Sequence, residues 1–115
     1  MVYANNRNPK QVTTLLMRQE GLTCFPKEIF NYPNLRKLDL SSNDISCVPS
    51  EILKLRKLKV LIISNNKLRQ VHAAVFRLKL LTILDISHNF IKAIPAQLKG
   101  SNIKTLIANN NQLTD

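Results

Sequence analysis

Few residues in this sequence combine the types and the spacing that catalysis or metal binding requires. Ser87 adjoins His88, but no glycine-bearing elbow surrounds the serine. Asp85 and His88 are close in sequence, but no third ligand accompanies them to complete a metal site. Gly21 and Gly100 are the only glycines, so no glycine-rich loop for phosphate is encoded. We therefore expect no enzyme activity, no metal and no cofactor.

The two cysteines are the remaining reactive side chains. Cys24 and Cys47 are 23 residues apart. If residues at this separation lie on neighbouring strands, about 5 Å apart, a disulfide between them is geometrically feasible. The chain is not cysteine-dense in the way that small secreted domains are. Two reduced thiols are therefore the expected state, and a redox-sensitive clasp is the alternative.

The separation of 23 residues is the period of the whole chain. The stretch 35–49 has apolar residues at positions 35, 38, 40, 45 and 48, a spacing that fits neither an α-helix nor a long strand. The spacing recurs in five coils, which begin near residues 12, 35, 58, 81 and 103. Each coil after the first carries an asparagine at one fixed position, where the first coil has Glu20. These asparagines are Asn43, Asn66, Asn89 and Asn111.

The repeat predicts one domain over residues 12–115, preceded by a polar arm or poor cap over residues 1–11. No capping repeat follows the last coil, and its uncovered core residues make self-association through that end one expectation. The longest apolar runs contain four residues, far fewer than the roughly 20 that cross a bilayer. The first eleven residues also lack the apolar region of a signal peptide. We therefore expect a cytoplasmic protein without a transmembrane segment.

Each coil divides into a short strand and a return segment. Side chains of the strand, Leu-x-x-Leu-x-Leu, alternate between the core and the solvent. The asparagine follows where the chain turns, and its amide can bond both donors and acceptors of the turn, so we assign it a structural role. The returns begin with Pro26, Pro49, His72 and Pro95, and their apolar residues come every third position. This pattern predicts one or two turns of 3₁₀ or α-helix.

Over residues 12–115 the pattern resembles the leucine-rich repeat family, Leu-x-x-Leu-x-Leu-x-x-Asn-x-Leu-x-x-Leu-Pro. The resemblance implies an α/β fold, a right-handed solenoid of about five coils with a short parallel sheet on its concave face. Short helical or 3₁₀ turns are implied for the convex face, and binding of a protein partner for the concave sheet. The 23-residue period looks like that of intracellular members, which act in their own cell or as exported effectors in a host cytosol.

The repeat also predicts which strand residues face solvent on the concave sheet. Val60, Ile62 and Ile83 form an apolar centre there, with Asp39 and Asp85 on the coils either side of Ile62. An alternative is that these β-branched residues merely suit strands. The full set that we predict to bind a partner is Lys37, Asp39, Val60, Ile62, Ile83, Asp85, His88 and Ile107.

The net charge of +10 gives a second class of hypothesis. Most basic residues fall where the return segments lead into strands, and we call eight of them the basic ridge. They are Arg36, Lys54, Arg56, Lys57, Arg77, Lys79, Lys99 and Lys104. This ridge could bind nucleic acid or an anionic surface, or serve solubility alone. Aromatic residues make up only 5% of the chain and do not interleave with the basic ones, so nucleic acid is not the expected partner.

Overall fold

The computed structural model describes residues 8–114 as one five-stranded parallel sheet with a 3₁₀ helix before each strand. Residues 1–7 of the predicted N-terminal arm lie outside the described residues. The strands are β1 (Thr14–Leu16), β2 (Lys37–Asp39), β3 (Val60–Ile62), β4 (Ile83–Asp85) and β5 (Thr105–Ile107). The 3₁₀ helices are η1 (Pro9–Gln11), η2 (Lys27–Asn31), η3 (Ser50–Lys54), η4 (Ala73–Arg77) and η5 (Ala96–Gly100). This arrangement confirms the predicted solenoid.

The strands pair in sequence order, β1-β2-β3-β4-β5. Their register aligns residues one repeat apart, so Leu38 lies beside Leu61, and Leu61 beside Leu84. These three side chains are completely buried, as are most apolar residues of the return segments. In the fifth coil, Ile103 and Leu106 are only half-buried. The core therefore thins toward the fifth coil.

The returns η2 to η5 are 3₁₀ helices whose starts match the sequence pattern. Pro26, Pro49 and Pro95 occupy the N-cap positions of η2, η3 and η5. His72 replaces proline at η4, where its Nδ1 accepts a hydrogen bond from Ala74 N at 3.0 Å. An imidazole thus caps the one return that lacks proline. None of the described helices is long and apolar enough to cross a membrane.

The asparagine of each coil bonds the coil before it. Asn43 accepts hydrogen bonds from the backbone N–H groups of Glu20 and Leu22 at 2.9 and 3.1 Å. Its amide nitrogen donates to the carbonyl of Met17 at 2.9 Å and to that of Leu40 in its own coil at 2.9 Å. Asn66, Asn89 and Asn111 make the same donor bonds, and each accepts from one backbone N–H of the preceding coil, that of Ile45, Leu68 or Ile91. These amides bond each coil to the one before it and so help to fix the spacing of the coils.

Candidate functional site

The outward side chains of the five strands form one continuous surface, which we call the sheet face. The register places them in two rows, Thr14, Lys37, Val60, Ile83 and Thr105 in one, and Leu16, Asp39, Ile62, Asp85 and Ile107 in the other. Both rows contain residues that the repeat predicts for the concave face, among them Val60, Ile62 and Ile83. Because the rows come from consecutive strands, neighbouring members lie about 5 Å apart.

Apolar side chains occupy the centre of the sheet face and reach solvent. Val60 and Ile62 are half-buried, while Ile83 is 37% exposed and Ile107 38% exposed. Among the described residues, Leu16 is the most exposed large apolar residue, at 62%. Leu16 is not among the residues predicted to bind a partner, although its strand, β1, lies at an edge of the described sheet and has a neighbouring strand on one side only.

The structure covers Asp39 more than its predicted place on an open face implies. The Asp39 side chain is only 11% exposed, and its Oδ1 accepts a hydrogen bond from Ser41 N at 2.9 Å. Arg18, from the first coil, places its Nε 3.9 Å from Asp39 Oδ2 and donates from the same atom to Ser41 Oγ at 3.1 Å. A partner would therefore meet Asp39 already paired with a cation.

Asp85 occupies the same position two coils later without such a cation. Its Oδ1 accepts hydrogen bonds from Ser87 N at 3.0 Å and from Ser87 Oγ at 2.7 Å. Among the described residues, no lysine, arginine or histidine nitrogen lies within 4.0 Å of this carboxylate. Asp85 is half-buried, so a partner can reach it.

The residue before each asparagine position has a left-handed backbone, which the sequence reasoning missed. Gln19, Ser42, Asn65, His88 and Asn110 have φ angles between 53 and 58°. Asparagine tolerates this conformation better than most residues, so Asn65 and Asn110 were the available signal. The exposed His88 ring stands at this bend, with Nε2 3.2 Å from the amide nitrogen of Asn110. His88 thus borders the sheet face, while Lys37 lies half-buried within it.

The basic ridge lies on the side where the return segments lead into the strands, whereas His88 and the asparagines lie where the strands end. All eight of its side chains are exposed. Lys54 and Arg77 end η3 and η4, which pack against each other, and Lys99 lies near the end of η5. The described part of the chain has ion pairs only at Arg18–Asp39 and Lys67–Asp44, so no ridge cation has a carboxylate within 4.0 Å. A surface depression of about 280 Å³ lies between the returns, lined by Leu53, Arg56, Arg77, Leu78 and Lys79.

Within residues 8–114, no three His, Cys, Asp or Glu side chains form a group that could hold a metal ion. Cys24 and Cys47 are both exposed free thiols. We therefore take the sheet face and the basic ridge of the described residues as the candidate binding surfaces.

Comparison with protein families assigns the fold to a known group. The profile of the leucine rich repeat matches residues 56–113, half of the chain, and a profile of two leucine-rich repeats matches residues 33–74. The chain belongs to the leucine-rich repeat family.

Two solved structures resemble this leucine-rich repeat protein. A chain of the BIR3–SERK2 complex from Arabidopsis thaliana matches 98% of it with 28% sequence identity and a TM-score of 0.80. A leucine-rich repeat protein of Leptospira interrogans matches 92% of it with 25% identity and a TM-score of 0.69. The present chain covers 63% of the Arabidopsis chain and 33% of the Leptospira chain, less than two thirds of either.

Proposed function

We propose that this chain is a non-enzymatic module that binds a protein partner on its sheet face. The observation that carries the proposal is the apolar centre of that face, where Val60, Ile62 and Ile83 reach solvent on adjacent strands. A similar fold occurs in the BIR3–SERK2 complex, an assembly of two proteins. Polar groups at the border, such as His88 and Asp85, complete the apolar centre and polar rim that typify protein interfaces.

The rigidity of the sheet face also supports the proposal. Backbone hydrogen bonds, such as Leu40 N to the carbonyl of Ile62 at 2.8 Å, and the asparagine amides fix the strands on both sides of Ile62. A surface that is already ordered loses little conformational entropy when a partner binds, so more of the contact energy appears as affinity. The sheet face therefore suits recognition by a surface of matching shape.

The test is affinity capture from a lysate of the source organism with the wild type and with Ile62→Glu as baits. A charge buried in an apolar interface should weaken binding by at least about 30-fold, the loss typical of a central contact. Ile83→Glu provides a second variant at a more exposed site, and Leu80→Glu is the matched control because Leu80 is 45% exposed away from the strands. Thermal unfolding of each bait checks that the fold is kept.

The expected result is a protein retained by the wild type and by Leu80→Glu but lost with both sheet-face variants. If every protein captured by the wild type binds all three variants equally, the partner does not use the sheet face and the proposal is wrong.

A second candidate function is electrostatic binding of a nucleic acid or another anionic surface by the basic ridge. The observation in its favour is that, among the described residues, no carboxylate lies within 4.0 Å of a ridge cation. The repeat also aligns several of these cations with one another. Lys54 and Arg77 are 23 residues apart, as are Arg56 and Lys79, so each pair occupies equivalent positions on adjacent coils. Like charges in such columns repel each other, and an anionic partner would relieve that repulsion.

A further inference from the structure

Two carboxylates of the sheet face share a position in the repeat but differ in what surrounds them. Asp39 and Asp85 both lie in the row that contains Ile62, one on each side of it. Each is followed two residues later by a serine, Ser41 or Ser87, whose backbone N–H donates to the carboxylate. The two sites are thus chemically equivalent before their neighbours are considered.

At the first site a guanidinium from this chain is already bound. Arg18 Nε donates to Ser41 Oγ at 3.1 Å and lies 3.9 Å from Asp39 Oδ2. The Arg18 side chain is 66% exposed, so it lies over the sheet face rather than within the core. The Asp39–Ser41 pair therefore acts as an acceptor for one guanidinium group.

At the second site the same acceptor lacks a cation. The residue that corresponds to Arg18 two coils later is Ser64, whose side chain is too short to reach the carboxylate. In its place the Ser87 hydroxyl donates a hydrogen bond to Asp85 Oδ1 at 2.7 Å. Asp85 Oδ2 accepts no hydrogen bond from the described residues.

We propose that the sheet face recognises a protein segment that presents one arginine to Asp85, flanked by apolar side chains. The arginine would lie over Ser64, with its N–H groups directed at Asp85 Oδ2 and Ser87 Oγ. Arginine suits this site better than lysine because its planar fork carries several donors and can reach two acceptors at once. The flanking apolar side chains would cover Ile62 and Ile83, which adjoin Asp85 on the neighbouring strand and on its own.

The charge of the whole chain restricts the segment further. A net charge of +10 repels strongly basic partners at long range. The segment should therefore carry its arginine within an otherwise neutral or acidic sequence. This inference rests on the proposed function, since it names the chemistry of the partner that the sheet face would bind.

The experiment selects peptides from a displayed random library on the wild-type protein and measures their affinities by fluorescence polarisation. The expected peptides carry one arginine with apolar residues beside it, and they lose binding to Ile83→Glu. Asp85→Asn should weaken them about tenfold, the lower end of the value of a hydrogen bond to a charged group. Asp44→Asn is the matched control, because Asp44 pairs with Lys67 at 3.4 Å, outside the strands, and undergoes the same chemical change.

A double-mutant cycle separates direct contact from an effect on the fold. Replacing the peptide's arginine by citrulline, its uncharged isostere, should cost about tenfold on the wild type and almost nothing on Asp85→Asn. Equal losses on both proteins would overturn the inference, as would selected peptides that need Ile83 but carry no cation. Peptides that bind Ile83→Glu as well as the wild type would instead refute the proposed function itself.

Discussion

Replacing Asn66 by alanine should test how the coils are held together. The amide oxygen of Asn66 accepts from Ile45 N at 3.0 Å. Its amide nitrogen donates to the carbonyls of Leu40, Ile63 and Ser64 at 2.9, 3.2 and 3.1 Å. Asn66 is only 6% exposed, so water cannot readily replace these bonds. One side chain thus connects the second and third coils.

The magnitude follows from which backbone groups would lose their only partner. The carbonyls of Leu40 and Ile63 also accept from Asn43 and Asn89, and that of Ser64 accepts from Ser42 N. Only the N–H of Ile45 would be left without a partner, at a cost of about 1–3 kcal/mol. The amide's two protons make bonds worth a further net ~0.5–1.5 kcal/mol each. We therefore expect Asn66→Ala to lower the free energy of unfolding by roughly 2–6 kcal/mol.

The assay is urea denaturation followed by circular dichroism, with amide hydrogen exchange measured by NMR. The Ile45 amide should lose its protection from exchange. The Leu68 amide donates to Asn89 Oδ1 at 2.9 Å, a bond that the substitution leaves in place, so it should stay better protected than the Ile45 amide. Glu20→Ala is the control, because Glu20 occupies the equivalent position in the first coil and its exposed side chain makes no hydrogen bond among the described residues. It should change stability by less than about 0.5 kcal/mol. A loss below about 1 kcal/mol for Asn66→Ala, or an equal loss for Glu20→Ala, would refute the reasoning.

Two further predictions concern the backbone and the basic ridge. Ser42→Asn should stabilise the fold by about 0.5–1 kcal/mol, because asparagine tolerates the left-handed φ of 58° at this position better than serine does. The urea concentration at the midpoint of unfolding should therefore rise, and a lower midpoint would contradict this prediction. If the basic ridge binds nucleic acid, the affinity for a labelled single-stranded RNA should fall with salt at a log–log slope of about −0.7 per phosphate neutralised. Arg77→Glu should weaken RNA binding more than Lys10→Glu, because Lys10 lies outside the ridge. Equal effects of the two substitutions would exclude the ridge as the binding site.

The strand register could be predicted from the sequence because the repeat itself encodes it. Residues 23 apart must align if each coil stacks on the last, which places Ile62 between Asp39 and Asp85 without any knowledge of side-chain conformation. The pairing of Arg18 with Asp39 could not be predicted in this way. It depends on the direction of one long exposed side chain in the first coil, where the repeat pattern imposes no constraint. The roles of the predicted binding residues, and self-association through the last coil, stay predictions.

The atypical first coil follows from the direction in which the asparagines act. Asn43 closes the turn of the first coil by accepting from Glu20 N and Leu22 N, and Asn66 closes that of the second through Ile45 N. Each asparagine therefore stabilises the coil before its own. An asparagine at position 20 would have no earlier coil to bond among the described residues, so a glutamate can stand there without breaking a turn. The turn of the first coil consequently depends on Asn43 rather than on Glu20. Replacing Asn43 should leave the N–H groups of Glu20 and Leu22 without their partner, whereas replacing the Glu20 side chain should leave both N–H groups bonded.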